Sequence, residues 1–271
     1  MSEFRVHIIA SGSKGNATLL QAGDTAILID AGISARRIKK GLAQAGVKPQ
    51  ELSGIFITHE HTDHINGLPV FCRHAQIPVF ANERTWFASG VLGKIESKYR
   101  RMLPDDIMRI GDISLKPFSV SHDAAQPVGF NFFYRESKCS FATDMGFADA
   151  SIREALSGSD TIVIEANHDT QMLANGSYPY YLKARIKGKR GHLSNQETGE
   201  ILSDVIWSKQ VEVFLAHLSQ ENNCPQIARK TVQDVLQQKG ALQKAEIYIA
   251  RQDELVSNCC TDEKLINAQC L

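Results

Sequence analysis

The chain from Thr58 to His64 reads Thr-His-Glu-His-Thr-Asp-His, and it directly follows a short apolar segment, Gly54 to Thr58. That segment has the length and composition of a buried β-strand. Three imidazoles and the Asp63 carboxylate therefore stand close together at a strand end, and these groups are ligands of divalent transition metals. A loop can turn such side chains toward one point, so the stretch predicts a metal site. The pattern His-x-His-x-Asp-His arises by chance in fewer than about one in a thousand chains of this composition. The alternative is that these are ordinary solvated loop residues.

Strand-like and helix-like segments alternate on both sides of this stretch. A helix is predicted from a cap at Ser34 to Gly46, a second opens on the capping pair Ser194 and Glu197, and a third covers about Pro225 to Gln238. The other predicted strands are Val6 to Ala10, Ala17 to Gln21, Ala26 to Asp30, Pro78 to Ala81, Ile113 to Ser121, Val128 to Tyr134, Cys139 to Thr143, Thr161 to Ala166, Val211 to Ala216 and Glu246 to Ala250. No linker rich in proline or serine separates these segments. This indicates one α/β domain over residues 1–257, with residues 258–271 as a short polar tail.

Composition narrows the class of protein. Of 271 residues, 43% are hydrophobic and 22% are charged, as in a globular chain that buries a full core. No apolar run approaches the roughly 18 residues of a membrane span, and the charged N-terminus does not resemble a secretion signal. We therefore expect a cytoplasmic protein without a membrane partner. Thirty basic and thirty acidic residues give a formal net charge of 0, so a polyanion would have to be held by a local cluster.

The spacing His59-x-His61-x-Asp63-His64 resembles the signature of the metallo-β-lactamase superfamily. Members of that superfamily draw their remaining metal ligands from later strand ends. This chain has candidates of the right types in the same order, each directly after an apolar strand: His122, Asp144 and His217.

This resemblance implies a fold and a cofactor. The implied fold is an α/β structure, the αβ/βα sandwich of the superfamily, with a metal site between the edges of two sheets. The implied cofactor is a pair of divalent ions per chain, zinc first and manganese as the alternative. Two such ions roughly 3.5 to 4 Å apart would lower the pKa of a shared water and so supply a hydroxide nucleophile. Carried over by position, one ion takes His59, His61 and His122, the other takes Asp63, His64 and His217, and Asp144 bridges both; Asp63 is also expected to serve catalysis.

Two later motifs narrow the substrate. The phrases beginning at Glu165 (Glu-Ala-Asn-His-Asp) and at Gly191 (Gly-His-Leu-Ser-Asn) resemble elements of the ribonuclease Z and cyclic phosphodiesterase branch. The resemblance places His192 beside the scissile phosphate, where it stabilises charge or protonates the leaving oxygen, and makes Glu165 the holder of its imidazole. The helix opening at Ser194 offers free N–H groups to a phosphate. The alternative is that His192 merely neighbours a helix cap.

Longer phrases resemble the YycJ family, also called WalJ or VicX, over about residues 4 to 252. They are Ala10 to Asn16, Glu165 to Asp169, Arg190 to Asn195 and Ala216 to Asn223. That family is associated with bacterial two-component operons and with 5′-to-3′ exonuclease action on double-stranded DNA. The resemblance therefore implies a DNA partner and a role in DNA repair.

A basic cluster lies just before His192. In the segment Lys183 to Arg190, five of eight residues are basic, and we expect four of them to contact the DNA backbone: Arg185, Lys187, Lys189 and Arg190. A solvated charged surface is the alternative. Tyr178, Tyr180 and Tyr181 precede the cluster and would either stack on unpaired bases or pack against the protein.

Two other functions stay open on the sequence alone. The same metal site would serve a small-molecule hydrolase acting on a cyclic phosphodiester or a thioester. A non-enzymatic, metal-binding regulator of a two-component system is the third hypothesis. The choice of metal, the oligomeric state and activity on RNA are left undecided by the sequence.

Overall fold

The computed structural model describes residues 2–74, 77–90, 93, 95, 98–103 and 106–259. The strands in these ranges form two sheets of seven. Most of the predicted tail, residues 260–271, lies outside the described residues. None of the described helices combines the length and the apolar character that a membrane crossing requires.

The first sheet contains the N-terminal third of the chain and one late strand. Its strand order is β14-β1-β2-β3-β4-β5-β6, antiparallel from β14 to β3 and parallel from β3 to β6. These strands are β1 (Arg5–Ala10), β2 (Ala17–Ala22), β3 (Thr25–Ile29), β4 (Leu52–Phe56), β5 (Val79–Ala81), β6 (Tyr99–Arg101) and β14 (Val256–Ser257).

The second sheet contains the middle and late strands. Its order is β13-β12-β11-β10-β9-β8-β7, parallel from β13 to β10 and antiparallel from β10 to β7. The strands are β7 (Met108–Ile110), β8 (Ile113–Ser119), β9 (Val128–Tyr134), β10 (Ser137–Ala142), β11 (Thr161–Glu165), β12 (Val211–Ala216) and β13 (Ala245–Ile249).

Helices cover the outer faces of both sheets. α1 packs on the first sheet beside α3, whereas α5, α8 and α9 pack on the second. Short 3₁₀ turns lie at Pro49–Glu51, Cys72–His74 and Leu242–Lys244. The helices are α1 (Ala35–Gln44), α2 (Thr62–Ile65), α3 (Leu68–Phe71), α4 (Glu83–Ala88), α5 (Ala150–Leu156), α6 (Thr170–Asn175), α7 (Tyr180–Lys187), α8 (Asn195–Val205) and α9 (Pro225–Gln238).

The inner faces of the two sheets meet in an aromatic core. Phe56 stacks on Phe80 of the same sheet and meets Phe130 of the other sheet edge to face. Phe132 and Phe214 are also fully buried in this cluster. Because each sheet has one face on this core and the other under helices, apolar burial on both faces stabilises a four-layer sandwich. The predicted αβ/βα fold is confirmed.

Two predicted strands end two residues earlier than the sequence suggested. β4 stops at Phe56, not at Thr58, because the Thr58 N–H and hydroxyl both donate to the Asp30 carboxylate. β8 likewise stops at Ser119 and not at Ser121. These early stops matter because they free the residues that follow to turn toward the space between the sheet edges.

Candidate metal centre

Strand ends from both sheets bring the predicted ligands to one place. His59 to His64 follow β4 of the first sheet, with His61 capping the short helix α2. The second sheet contributes side chains that follow β8, β10 and β12: His122, Asp144 and His217. Carboxyl ends of parallel strands share one edge of a sheet, which is why residues far apart in sequence meet here.

One group consists of His59, His61 and His122, whose ring nitrogens lie close enough to hold a single ion. The Nδ1 atom of His61 is 3.3 Å from Nε2 of His122. The rings of His59 and His61 stand edge to face with centroids 4.6 Å apart. Such spacing fits three imidazole ligands around one divalent cation.

A second group consists of Asp63, His64 and His217. Asp63 Oδ2 lies 3.4 Å from His64 Nε2 and 3.5 Å from His217 Nε2. Asp144 stands between the two groups, with Oδ2 3.3 Å from His64 Nε2 and Oδ1 3.9 Å from His122 Nε2. The arrangement is the one expected if Asp144 is shared by two ions.

The ring nitrogens that point away from the centre are held by neighbouring groups. This fixes each imidazole's orientation and tautomer, as is usual for histidines that bind metals. The contacts join His64 Nδ1 to Asp30 at 2.7 Å, His217 Nδ1 to Glu165 at 2.9 Å, His59 Nδ1 to the Thr58 hydroxyl at 3.0 Å and His122 Nδ1 to the Gly191 carbonyl at 3.1 Å.

Three of the atoms that face the centre lack protein partners among the described residues. His59 Nε2, Asp144 Oδ2 and His217 Nε2 are buried and have no hydrogen-bond partner among the described residues. A buried polar atom left in this state costs free energy that a bound cation would recover. The donor set therefore fits a metal.

Charge in the centre points the same way. Burial alone would lower the pKa of His64, but the carboxylates of Asp63, Asp30 and Asp144 raise it well above the ordinary value. His217 behaves alike, since Asp144, Asp63 and Glu165 outweigh its burial and raise its pKa. Buried negative charge strong enough to hold protons on two imidazoles is charge that a divalent cation would neutralise.

Backbone strain is concentrated at the same strand ends. Asp30, Asp144 and His217 have φ values of 58°, 55° and 53°, in the left-handed region that non-glycine residues seldom adopt. Such conformations cost about 1 to 3 kcal/mol each and persist where the surroundings impose them. Here they turn the side chains of Asp144 and His217 into the centre and that of Asp30 against His64.

His192 lies half-buried directly beside the centre, and the fully buried Glu165 holds its ring. The His192 Nδ1 atom is 2.7 Å from Glu165 Oε1, and the same oxygen lies 2.9 Å from His217 Nδ1. The other oxygen of Glu165 accepts from the N–H groups of Met145 and Leu193. Burial opposes the protonated form of His192, but the Glu165 carboxylate and its hydrogen bond raise the pKa of His192 above the ordinary value.

The opening loop after β1 supports the second ligand group, a role that the sequence did not predict. The His217 N–H donates to the hydroxyl of Ser11 at 2.7 Å. Asn16 Nδ2 lies 3.1 Å from His64 Nε2 and 3.3 Å from Asp63 Oδ2. Gly32 is required beside them, since a Cβ there would stand 1.5 Å from the Asp63 carbonyl oxygen.

Asp30 and Asp123 are two further residues that the sequence did not single out. Asp30 is buried and holds both Thr58 and His64. Asp123 joins Arg185 Nε at 2.6 Å through Oδ2, while its buried Oδ1 lies 3.4 Å from His122 Nε2. The sequence offered one weak signal for each. Asp30 is a carboxylate at the end of a predicted strand, and Asp123 directly follows the predicted ligand His122.

The basic segment borders the centre. Arg190 Nε donates to the His122 carbonyl at 3.1 Å, and the Ser121 hydroxyl donates to the Lys189 carbonyl at 2.7 Å. These bonds, with the Arg185 contact to Asp123, fasten the segment beside the first ligand group. The side chains of Arg185, Lys187, Lys189 and Arg190 are exposed.

Ser194 is engaged in the helix cap. Its hydroxyl donates to Glu197 Oε2 at 2.7 Å and accepts from the Glu197 N–H, and only 3% of the residue is exposed. The N–H groups of Asn195 and Thr198 also have acceptors. Ser194 therefore positions α8, and its predicted contact with a phosphate stays a prediction.

Asp169, the last residue of the phrase that begins at Glu165, caps α6 by accepting from two N–H groups.

Comparison with known proteins agrees with this geometry. Residues 25–218 match the model of the beta-lactamase superfamily domain. Over 235 residues the chain is 37% identical to the exodeoxyribonuclease YycJ of Bacillus anthracis, covering 86% of this chain and 89% of the relative. It is 38% identical over 244 residues to the exodeoxyribonuclease WalJ of Streptococcus pneumoniae, covering 88% and 91%.

Among solved structures, the metallo-beta-lactamase fold protein YhfI from Bacillus subtilis superposes with a TM-score of 0.69 at 15% identity. The match covers 95% of this chain and 100% of YhfI, and at that identity it speaks for the fold alone. The sequence matches, by contrast, extend over both ligand groups and the phrases around Glu165 and His192. The chain therefore belongs to the beta-lactamase superfamily, in the family that includes the YycJ and WalJ proteins.

Proposed function

We propose that this protein is a metal-dependent phosphodiesterase that removes nucleotides from the 5′ ends of double-stranded DNA. The observation that carries the proposal is the placement of His192, whose Nδ1 is held by Glu165 while its ring lies beside both ligand groups. A proton donor in that position suits the leaving oxygen of a phosphodiester better than it suits the leaving group of a lactam or a thioester. The names of the YycJ and WalJ relatives support DNA as the substrate.

The cofactor in this proposal is two divalent ions, zinc first and manganese as the alternative. His59, His61 and His122 would hold one ion, and Asp63, His64 and His217 would hold the other, with Asp144 shared. Bound there, the ions would lower the pKa of a water and neutralise charge on a phosphate. An imidazole-rich set with carboxylates accepts either metal, so availability decides between them.

The chain's own groups then divide the work of one cleavage. A water oxygen attacks the phosphorus and gives up a proton to the solvent, the bond from phosphorus to the 3′ oxygen breaks, and His192 gives that oxygen its proton through Nε2. His192 then takes up a proton from the solvent. Glu165 keeps the His192 ring oriented and favours its protonated form before the step. Asp63 contributes by fixing His64 and His217 around the shared centre.

The DNA backbone is held by the basic segment in this proposal. Arg185, Lys187, Lys189 and Arg190 lie at the border of the centre, where phosphates on either side of the scissile bond would pass. Ser194 sets the start of α8, and a phosphate contact at that helix start stays a prediction of the sequence. A role in DNA repair and a cytoplasmic location stay predictions of the sequence.

A labelled duplex tests the proposal directly. The purified protein, stripped of metal and reloaded with zinc or manganese, is given duplex DNA labelled at either end, a cyclic phosphodiester, bis-p-nitrophenyl phosphate and a thioester. We expect early release of 5′-terminal nucleotides only with metal. Release from 3′ ends would contradict the polarity, and cleavage of the small diesters alone would make the protein a small-molecule phosphodiesterase.

A further inference from the structure

Helix α7 is unusual in that none of its residues from Tyr180 to Lys187 is buried. Tyr180 is 86% exposed and Tyr181 is 74% exposed. Large aromatic side chains are seldom left so open on a surface, because burying their rings is favourable. Tyr180 and Tyr181 therefore do not pack against the protein, which was one of the two alternatives that the sequence left open.

Contacts around α7 keep the helix in place without covering its outer face. Lys183 Nζ donates to the Ala174 carbonyl at 2.8 Å, and Arg185 is tied to Asp123. Leu182 and Ile186, one turn apart, are half-buried and form the inner side. The helix is therefore a fixed element and its outer face is available.

The outer face combines aromatic rings with positive charge. Tyr181 and Arg185 are four residues apart, so they lie one above the other about 6 Å along the helix axis. Tyr180 and Lys187, about two turns apart, form a second exposed stripe roughly a third of a turn around the axis from the first. Rings that alternate with cations at this spacing match a nucleic acid strand, whose bases stack while its phosphates need neutralising.

The face also leads toward the candidate centre. α7 ends at Lys187, and His192 follows five residues later in the chain. Arg185 reaches Asp123, whose other oxygen lies 3.4 Å from His122. The tyrosines thus stand at the outer end of a positively charged path that finishes beside both ligand groups.

We propose that the outer face of α7 binds the unpaired terminal nucleotides of a DNA strand, with Tyr180 and Tyr181 stacking on bases while Arg185 and Lys187 neutralise phosphates. This inference rests on the proposed function and specifies its substrate. In a fully paired end the base faces are covered by stacking within the duplex, so the tyrosines have nothing to stack on. The protein therefore prefers ends with a single-stranded or frayed 5′ tail over flush ends.

The test compares two duplexes made with phosphorothioate linkages that resist hydrolysis, one flush and one with a short single-stranded 5′ tail carrying 2-aminopurine. Binding is followed by anisotropy, and stacking by quenching of the 2-aminopurine. We expect the metal-loaded protein to bind the tailed duplex about ten- to a hundredfold more tightly, as stacking of one or two bases allows.

The variant Tyr180→Ala/Tyr181→Ala should lose that preference and the quenching while binding the flush duplex as before. Tyr180→Phe/Tyr181→Phe keeps the rings and should retain both. Trp207→Ala is the matched control, because Trp207 is 67% exposed and precedes β12, at the end of the sheet opposite His217.

Equal binding of both duplexes by the unaltered protein would overturn the inference, as would an alanine variant that keeps the preference or that loses affinity equally for both. That failure is distinct from failure of the proposed function. A protein that cleaves the labelled duplex but ignores the tail refutes only the role of α7, whereas a protein that leaves the labelled duplex uncut refutes the nuclease.

Discussion

At the scale of single residues, four of the five predicted histidine ligands have one nitrogen held by a neighbouring protein group while the other is directed inward. Glu165 is the most connected of the partners, since one of its oxygens serves both His192 and His217. It is fully buried, and the charges of those two imidazoles hold its pKa below the ordinary value although burial alone would raise it. One carboxylate therefore couples the proton donor to a candidate metal ligand.

Replacing His192 by alanine should separate chemistry from metal binding. His192 belongs to neither trio of ligands, so the metal content should stay unchanged, whereas loss of the proton donor should lower kcat on duplex DNA about 10²- to 10⁴-fold. Elemental analysis and initial rates at saturating DNA check both expectations. Unaltered DNA degradation by the variant would rule out the proton-donor role.

His7 supplies a residue-scale prediction about stability. It is 1% exposed, its Nε2 lies 3.0 Å from Gln21 Oε1, and burial lowers its pKa to about 4. The folded chain keeps His7 neutral, whereas the unfolded chain takes up a proton below about pH 6.5, so stability falls as the pH drops through that range. Between about pH 7.5 and pH 5 the free energy of unfolding of the unaltered protein should fall by about 2 kcal/mol more than that of the His7→Leu variant. Urea unfolding of both proteins at each pH measures the difference. Parallel losses would show that His7 is protonated in the folded chain.

At the scale of elements, the segment from α7 to Arg190 is held to the rest of the chain mainly by polar contacts. Arg185 binds Asp123, Arg190 binds the His122 carbonyl, and the Lys189 carbonyl accepts from Ser121. Because the segment contributes little to the core, changes in its side chains should alter binding more than folding.

Changing Lys187, Lys189 and Arg190 together to alanine should therefore weaken DNA binding and leave the thermal midpoint nearly unchanged. Each lost phosphate contact reduces the slope of log affinity against log salt by about 0.9. The control is the same change at Lys230 of α9, at Lys239 directly after α9 and at Lys244 in the turn that precedes β13. An unaltered salt slope in the first variant would show that the basic cluster is a solvated surface that does not contact DNA phosphates.

The elements also show where sequence reasoning reaches its limit. Long strands and the amphipathic helices α8 and α9 were predicted because their apolar spacing is regular. Three-residue strands such as β6 and β7 are too short to show any period, and α7 has no buried face to reveal it. The Ser194 and Glu197 cap was read correctly as a helix start, but a phosphate site there could not be judged without seeing which N–H groups are already bonded.

At the scale of the whole molecule, the centre exists because two sheets end at one edge. The predicted ligands could be found from sequence, since residue type and a preceding strand are both local signals. Asp30 and Asn16 could not, because their contacts are made with His64, 34 and 48 residues further along. An aspartate or asparagine in a turn is common, and only the folded chain distinguishes these two.

Counting the metal ions bound to the whole protein is the sharpest test of the proposed two-ion centre. Protein purified without added metal, and again after stripping and reloading with zinc or manganese, is measured by elemental analysis together with a His59→Ala/His217→Ala variant. We expect about two divalent ions per unaltered chain and a marked loss of metal in the variant. Folded protein that holds no ion and takes up none on reloading would refute the metal centre.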